Sequence, residues 1–447
     1  MSFIRSKLNG LEMNPPRILA LGFMTTILLG ALLLNLPSAS ASGESIGFID
    51  ALFTSASAVC VTGLVVVNTA EHWTVFGQAV ILMLIQIGGL GIMTMATIFA
   101  LVSGKKISLR ERLVIKEQLN QESLSGLVKL VKYVIAMTLF IEFIGAVVLS
   151  YVFVPEFGLK QGIWNSIFHS VSAFCNAGFD ITGNSFMDYN DSTIAIVAIC
   201  FLVVAGGLGF SVIIDLLRHR SWQRLSLHTR FVTIISFLLL TLGTLLILVL
   251  EWNNPGTLKD MTLGDKVRAA LFAAVVPRTA GFNSIDVGAM MQATAFFTII
   301  LMFIGGSPGS TAGGIKTATF GVVIMATIAI IKGERDIEIY KKRIPQETVF
   351  KSLAIVTVGM GLIIGVSFIL TLTESWGFLD TMFEATSAFA TVGLSRGLTP
   401  NLSNTGKLII IGTMYAGRVG PLTMAFAFGY NRKHKRYRYS EGHISVG

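Results

Sequence analysis

Apolar residues in this chain fall in long blocks, and the polar ones gather between them. Ile18–Leu36, Thr74–Gly104, Phe231–Leu250 and Ser352–Thr373 hold no charged residue. Each is long enough to cross a hydrocarbon core, which takes about 20 helical residues. Shorter helix-like pieces recur between such runs, at Ala51–Ser57, Ile163–Ser172, Ala269–Val275 and Thr381–Ser387. They are far too short to span. Asp50 and Asp380 stand just ahead of two of them and are predicted N-caps.

Each short piece leads into a stretch of small residues: "SASAVCVTGL", "SVSAFCNAGF", "VVPRTAGF" and "TSAFATVGL". Their glycines, Gly63, Gly178, Gly281 and Gly393, come at near-equal intervals. The apolar run that follows carries a second landmark each time, "IQIGGLGIM", "VVAGGLGFS", "MFIGGSPGS" and "MYAGRVGPL". Two landmarks in one order predict a fourfold internal repeat. The units are 1–104, 105–220, 221–333 and 334–430, followed by a basic tail, 431–447. In the third unit "GGSPGSTAGGIKT" (Gly305–Thr317) interrupts the second crossing. Five glycines and Pro308 cannot hold a regular helix there, since Gly and Pro cost about 1 and 3 kcal/mol each in a helix interior.

Composition strengthens the membrane reading. The 447 residues are 53% hydrophobic and 13% charged, about half the charge of a soluble domain. Of the 34 Lys and Arg, 25 lie in the N-terminal segment, Lys105–Lys132, Arg218–Arg230, Lys332–Lys351 and Arg432–Arg438. By the positive-inside rule these segments face the cytoplasm, and so do both termini. The net charge of +9 is then topological and calls for no nucleic acid. The first apolar run is too long for a cleavable signal and reads as a membrane helix. Cys60, Cys175 and Cys200 have no metal-ligand spacing, the six His are scattered, and Lys316 does not complete a Walker motif. A membrane-embedded enzyme would need a cluster of reactive groups that the sequence lacks, so no catalytic activity is expected.

Both ends of each unit must face the cytoplasm, so each chain segment crosses, dips back as a half-helix and loop, and crosses again. The predicted fold is an all-α polytopic membrane protein with eight transmembrane helices and four re-entrant half-helices around a pseudo-fourfold axis. Irregular backbone at membrane depth is tolerated only where protein or a watery path surrounds it. Four loops meeting on an axis can offer rings of carbonyls that replace a cation's hydration shell. The half-helices point their partially negative C-terminal ends at that axis. Glycine supplies dihedrals that a Cβ forbids. A Gly-rich packing turn explains one copy of the stretch, but not four.

These motifs, together with "VPRTAGFNS", "MFIGGSPGSTAGGIKT" and "GRVGPLT", resemble the membrane subunits of the Trk/Ktr/HKT potassium-transporter superfamily, the Ktr type above all. The resemblance covers nearly the whole chain. It implies potassium uptake across the bacterial plasma membrane that requires sodium, a homodimer with one pore per subunit, and no cofactor in this chain. Nucleotide would be bound only by a partner, a cytosolic regulatory ring of the RCK/KTN, KtrA/KtrC-like type. Membrane lipids are the other expected contact. Carried over by position, the selectivity filter is Cys60, Val61, Thr62 and Gly63; Cys175, Asn176, Ala177 and Gly178; Thr279, Ala280 and Gly281 after Arg278; and Thr391, Val392 and Gly393 after Ala390. Potassium would sit at their carbonyls. Arg278 departs from the pattern, standing where the first two copies have cysteine, and is expected to point away and brace the loop. The resemblance also makes Gly305, Gly306, Ser307, Pro308, Gly309, Ser310, Thr311, Gly313, Gly314 and Lys316 an intramembrane loop that shuts the path below the filter, with Arg418 as part of the gate.

Arg418 lies 12 residues before the end of the fourth unit at 430, where the basic tail follows, roughly 18 Å along a helix. A charge at that depth costs at least about 2.5 kcal/mol, so it must face the pore or a polar partner. Glu142, in the second unit's first helix, is expected to be paired structurally rather than coupled to ion movement. The rival reading is a sodium-coupled carrier with alternating access. Carriers usually show inverted repeats, whereas these repeats are parallel.

Overall fold

The computed structural model of the chain describes residues 15–92, 94, 95, 97, 107, 109–118, 126–334, 336–420, 423, 424, 440, 442 and 444. Arg5 and Lys7, Lys105 and Lys106, and the basic tail Arg432–Arg438 lie outside the described residues.

The described chain is mostly helical. It opens with α1 (Pro15–Leu34), α2 (Phe48–Cys60) and α3 (Val75–Leu90), followed by α4 (Leu109–Gln118). Next come α5 (Leu127–Phe174), α6 (Thr193–Leu208) and α7 (Phe210–Arg218). Then α8 (Leu227–Glu251), α9 (Leu263–Val275), α10 (Gln292–Phe303) and α11 (Thr317–Ile331) follow. A two-stranded antiparallel ribbon, β1 (Glu338–Ile339) and β2 (Lys342–Arg343), precedes α12 (Gln346–Thr373), α13 (Phe378–Ala390) and α14 (Asn404–Val419). The helix α5 is bent at Gly158, whose φ of 78° is not helical. Its later part, 159–174, therefore stands as a separate short helix like α2, α9 and α13.

Helices α1, α5, α8 and α12 are long and apolar enough to cross a membrane, and α6 with α7 makes a fifth, broken candidate bent by 100°. Their outward faces carry exposed Phe140, Phe143, Phe237, Leu238, Ile364 and Phe368, which suits lipid rather than water. The short helices go the other way: in α2 every residue from Phe53 to Cys60 is buried, and in α13 every residue from Phe383 to Ala390. The long helices thus form a shell around the four short ones. Ser or Thr side chains start three of the helices that follow the glycine stretches, Thr74 accepting from Gly77 N, Ser192 from Ala195 N and Ser403 from Gly406 N.

Three expectations need correction. Asp50 and Asp380 do not cap their helices; Gly47 and Gly377 hold those positions. The acids sit within the first turn, where the helix dipole favours them, and pair with Lys407 and Arg396. The short helices also begin earlier than their apolar cores suggested, at Phe48, Leu263 and Phe378. Finally, the uncharged run Thr74–Gly104 is not one straight helix: α3 stops at Leu90, with Gly91 at φ 85°. The same break occurs at Gly209 (φ 100°) and Gly420 (φ 92°). The signal was the last glycine of "GGLG", "GGLG" and "GRVG", a residue that accepts this backbone without a Cβ penalty.

Candidate ion pathway

The four stretch glycines stand against one another. A Cβ built on Gly178 would lie 2.6 Å from the Cα of Gly281, and one on Gly281 would lie 3.4 Å from the Cα of Gly393. One on Gly393 would lie 3.0 Å from the Cα of Gly63, and one on Gly63 would lie 3.1 Å from the Cα of Gly178. The glycines therefore close a ring in chain order. Their φ values are 88°, 70°, 73° and 91° for Gly63, Gly178, Gly281 and Gly393. Any side chain there would meet both a neighbouring backbone and an unfavourable dihedral.

The residue two positions earlier is left-handed in all four loops: Val61 (φ 58°), Asn176 (60°), Thr279 (73°) and Thr391 (53°). Such a conformation costs a non-glycine residue about 1–3 kcal/mol and clusters at functional sites. In three loops it closes a helix by the two bonds of a Schellman motif. Val61 N donates to Ala58 O and Thr62 N to Ser57 O; Asn176 N donates to Ala173 O and Ala177 N to Ser172 O; Thr391 N donates to Ala388 O and Val392 N to Ser387 O. The Ser57 and Ser387 hydroxyls also accept from Gly63 N and Gly393 N, each at 3.1 Å. The third loop has Val275 where the others have serine, and Ala280 N bonds to Val276 O instead.

Arg278 leaves the ring and reaches α8, where its guanidinium donates to the Ser236 hydroxyl at 3.1 Å and the Ser236 carbonyl at 3.4 Å. No acidic partner meets it among the described residues. Behind the second loop, buried Glu142 accepts from Gln86 at 3.2 Å, with the Cys175 sulfur 3.8 Å away. Asn176 binds the loop's surroundings together, donating to Val203 O at 3.3 Å and Arg278 O at 3.4 Å. The three cysteines are buried and free. Beyond the second loop, burial opposes the charge on Asp180. Bonds from His169 and Thr182 outweigh it and hold the carboxyl at about 2.

Residues 304–316 form a non-helical loop between α10 and α11 that packs under the glycine ring. It is anchored to the second unit through Ser307 N to Gly207 O at 2.9 Å, Thr311 N to Gly206 O at 3.2 Å, and Phe210 N to Gly309 O at 2.9 Å. The Thr311 hydroxyl lies 3.1 Å from Phe174 O and 2.9 Å from the Asn176 side-chain oxygen. On the opposite side, a Cβ on Gly313 would lie 3.1 Å from Ala390 O. Gly305 N to Ile315 O and Thr317 N to Gly306 O close the loop's neck. Ser310 bonds within the loop to Ser307 O, and Lys316 to Ala312 O at 2.6 Å. Arg418 donates at once to Thr311 O in the loop and to Gly88 O and Gly89 O at the end of α3. It holds backbone carbonyls that the broken helices leave without partners.

Short strained loops ringed by half-helix C-termini, with a polar loop beneath, form a fold with known relatives. A family model described as TrkH, cation transport protein, matches residues 21–435. The chain belongs to this family. This TrkH-family protein is 44% identical to the Ktr system potassium uptake protein B of Bacillus subtilis, covering 97% of each chain. It is also 44% identical to the potassium/sodium uptake protein NtpJ of Enterococcus hirae, over 98% of each. Its fold superimposes on the crystal structure of the potassium transporter TrkH from Vibrio parahaemolyticus with a TM-score of 0.71, covering 91% of this chain and 84% of that one, at 18% identity. Membership and four spanning helices make it a multi-pass membrane protein.

Proposed function

We propose that this chain is the membrane subunit of a potassium uptake system, passing the ion through a channel-like path on a pseudo-fourfold axis. The observation that carries this is the ring of Gly63, Gly178, Gly281 and Gly393 at the ends of four inward half-helices. Carbonyls of the quartets ending in those glycines would replace water around a dehydrated cation, and the helix C-termini favour its charge. The names of the Bacillus and Enterococcus relatives support potassium, and that of the latter names sodium as well. Residues 304–316 with Arg418 would close the path below the ring. α3, α6 with α7, α10 with α11, and α14 would supply the second crossing of each unit. Sodium dependence, a homodimer, both termini in the cytoplasm and a nucleotide-binding cytosolic ring complete the reading. The test is growth of a potassium-uptake-deficient bacterium at limiting potassium, with and without sodium. Expression of the chain with its partner should restore growth, more fully with sodium. Absence of rescue at normal membrane levels would refute the proposal.

A further inference from the structure

Relative to each loop glycine, the short-helix residue nine positions before and the loop residue two positions after are joined by a side-chain hydrogen bond, among the described residues, in the second and fourth units only. In the second, fully buried His169 places Nε2 3.0 Å from Asp180 Oδ1, while its Nδ1 donates to Asn165 O at 2.8 Å. Asp180 in turn accepts from Thr182 N at 2.8 Å, Gly183 N at 3.0 Å and Ser185 N at 2.9 Å, so it organises the turn that leaves the loop. In the fourth, fully buried Glu384 accepts from Ser395 Oγ at 2.8 Å and from the Thr399 hydroxyl. Ser395 then accepts from Gly397 N at 3.2 Å and Thr399 N at 3.4 Å. Different chemistry thus builds one contact in two places.

The first and third units lack it. Thr54 spends its hydroxyl on Asp50 O of its own helix and faces the sequence position of Val65; Phe272 and Asn283 hold the matching places in the third. In the glycine ring, Gly63 and Gly281 both lie between Gly178 and Gly393, so the two clamped loops are opposite one another. We infer that His169 with Asp180, and Glu384 with Ser395 and Thr399, are positioning groups that hold one diagonal of the ring and set how strictly it separates potassium from sodium. The inference rests on these loops being the ion path. Each loop contains a left-handed residue that would relax if released, and a carbonyl ring discriminates through the number and field of its oxygens. A clamp behind the loop keeps those oxygens from closing on the smaller ion.

The test is potassium uptake, with sodium as competitor, in a potassium-uptake-deficient bacterium, with variant protein in the membrane measured in each strain. Glu384→Ala and Asp180→Ala should raise the KM for potassium about three- to tenfold and lower preference over sodium by a similar factor, with Vmax per membrane-inserted protein nearly kept. Glu384→Gln should restore the parent's values, because its amide oxygen accepts one hydroxyl and its NH2 donates to the other. Ser395→Ala should shift KM in the same direction by less, and Thr54→Val should leave KM and preference unchanged. Parent-like preference in Glu384→Ala and Asp180→Ala, or a fall in Vmax with KM unchanged, would overturn the inference. Gly63→Ser separates this from failure of the path itself: if it lowers preference while the clamp variants do not, only the clamp is wrong. If it too leaves preference intact, the reading of the loops fails with it.

Discussion

A Cβ on Gly63 would press on the carbonyl oxygen of Ala177, a member of the neighbouring loop. Serine there must displace that carbonyl or twist its own backbone away from φ 88°. Gly63→Ser is therefore expected to lower potassium preference over sodium on the order of tenfold, read as competition by sodium in uptake assays, while protein levels hold. Unchanged preference would count against the ring as the selective element. The glycines were legible in the sequence because no other residue serves that backbone. The left-handed positions beside them were not: Asn176 advertises the conformation, but Val61, Thr279 and Thr391 are β-branched and argue against it. Arg418 was legible as a buried charge needing company. Its partners, Thr311, Gly88 and Gly89, were not, since they offer carbonyl oxygens that leave no mark in a side-chain pattern.

The segment 304–316 was readable as a helix break from its glycines and Pro308, yet its route was not. It is held by the backbone of Gly206 and Gly207 at the end of α6 and of Phe210 at the start of α7, and by the guanidinium of Arg418 on α14. The break at Gly209 leaves Gly206 O and Gly207 O to accept from Thr311 N and Ser307 N of the segment. If the loop closes the path as proposed, its many bonds hold it shut, and removing a few should shift it toward open. Deleting part of Gly309–Gly314, or making Arg418→Gln, should raise basal potassium flux in vesicles at least about twofold over the parent. Flux no faster than the parent in both folded variants would move the obstruction elsewhere.

The described residues are mostly helices and their connections, with the short β1–β2 ribbon between α11 and α12. No nucleotide motif appears in the sequence. Purified alone, the chain should behave as a dimer whose flux in liposomes ignores ATP and ADP, and co-expressed cytosolic ring subunits should confer a nucleotide response. Flux from the isolated chain that answers to nucleotide would reverse this division. The helix bundle closes late in the sequence. Tyr415 OH donates to Ala20 O at 2.7 Å, Lys407 pairs with Asp50, and Arg418 reaches Gly88, contacts spanning more than 300 positions. A ribosome delivers α1 to the bilayer long before α14. Until α14 arrives, Asp50 lacks its lysine, the α3 carbonyls lack their arginine, and the side of the growing bundle that α14 will cover faces lipid. Nascent chains cut short before α14 should therefore be recognised as unfinished and degraded, and the time a cell spends making this protein includes an interval in which an uncapped bundle must be kept from leaking or sticking to its neighbours.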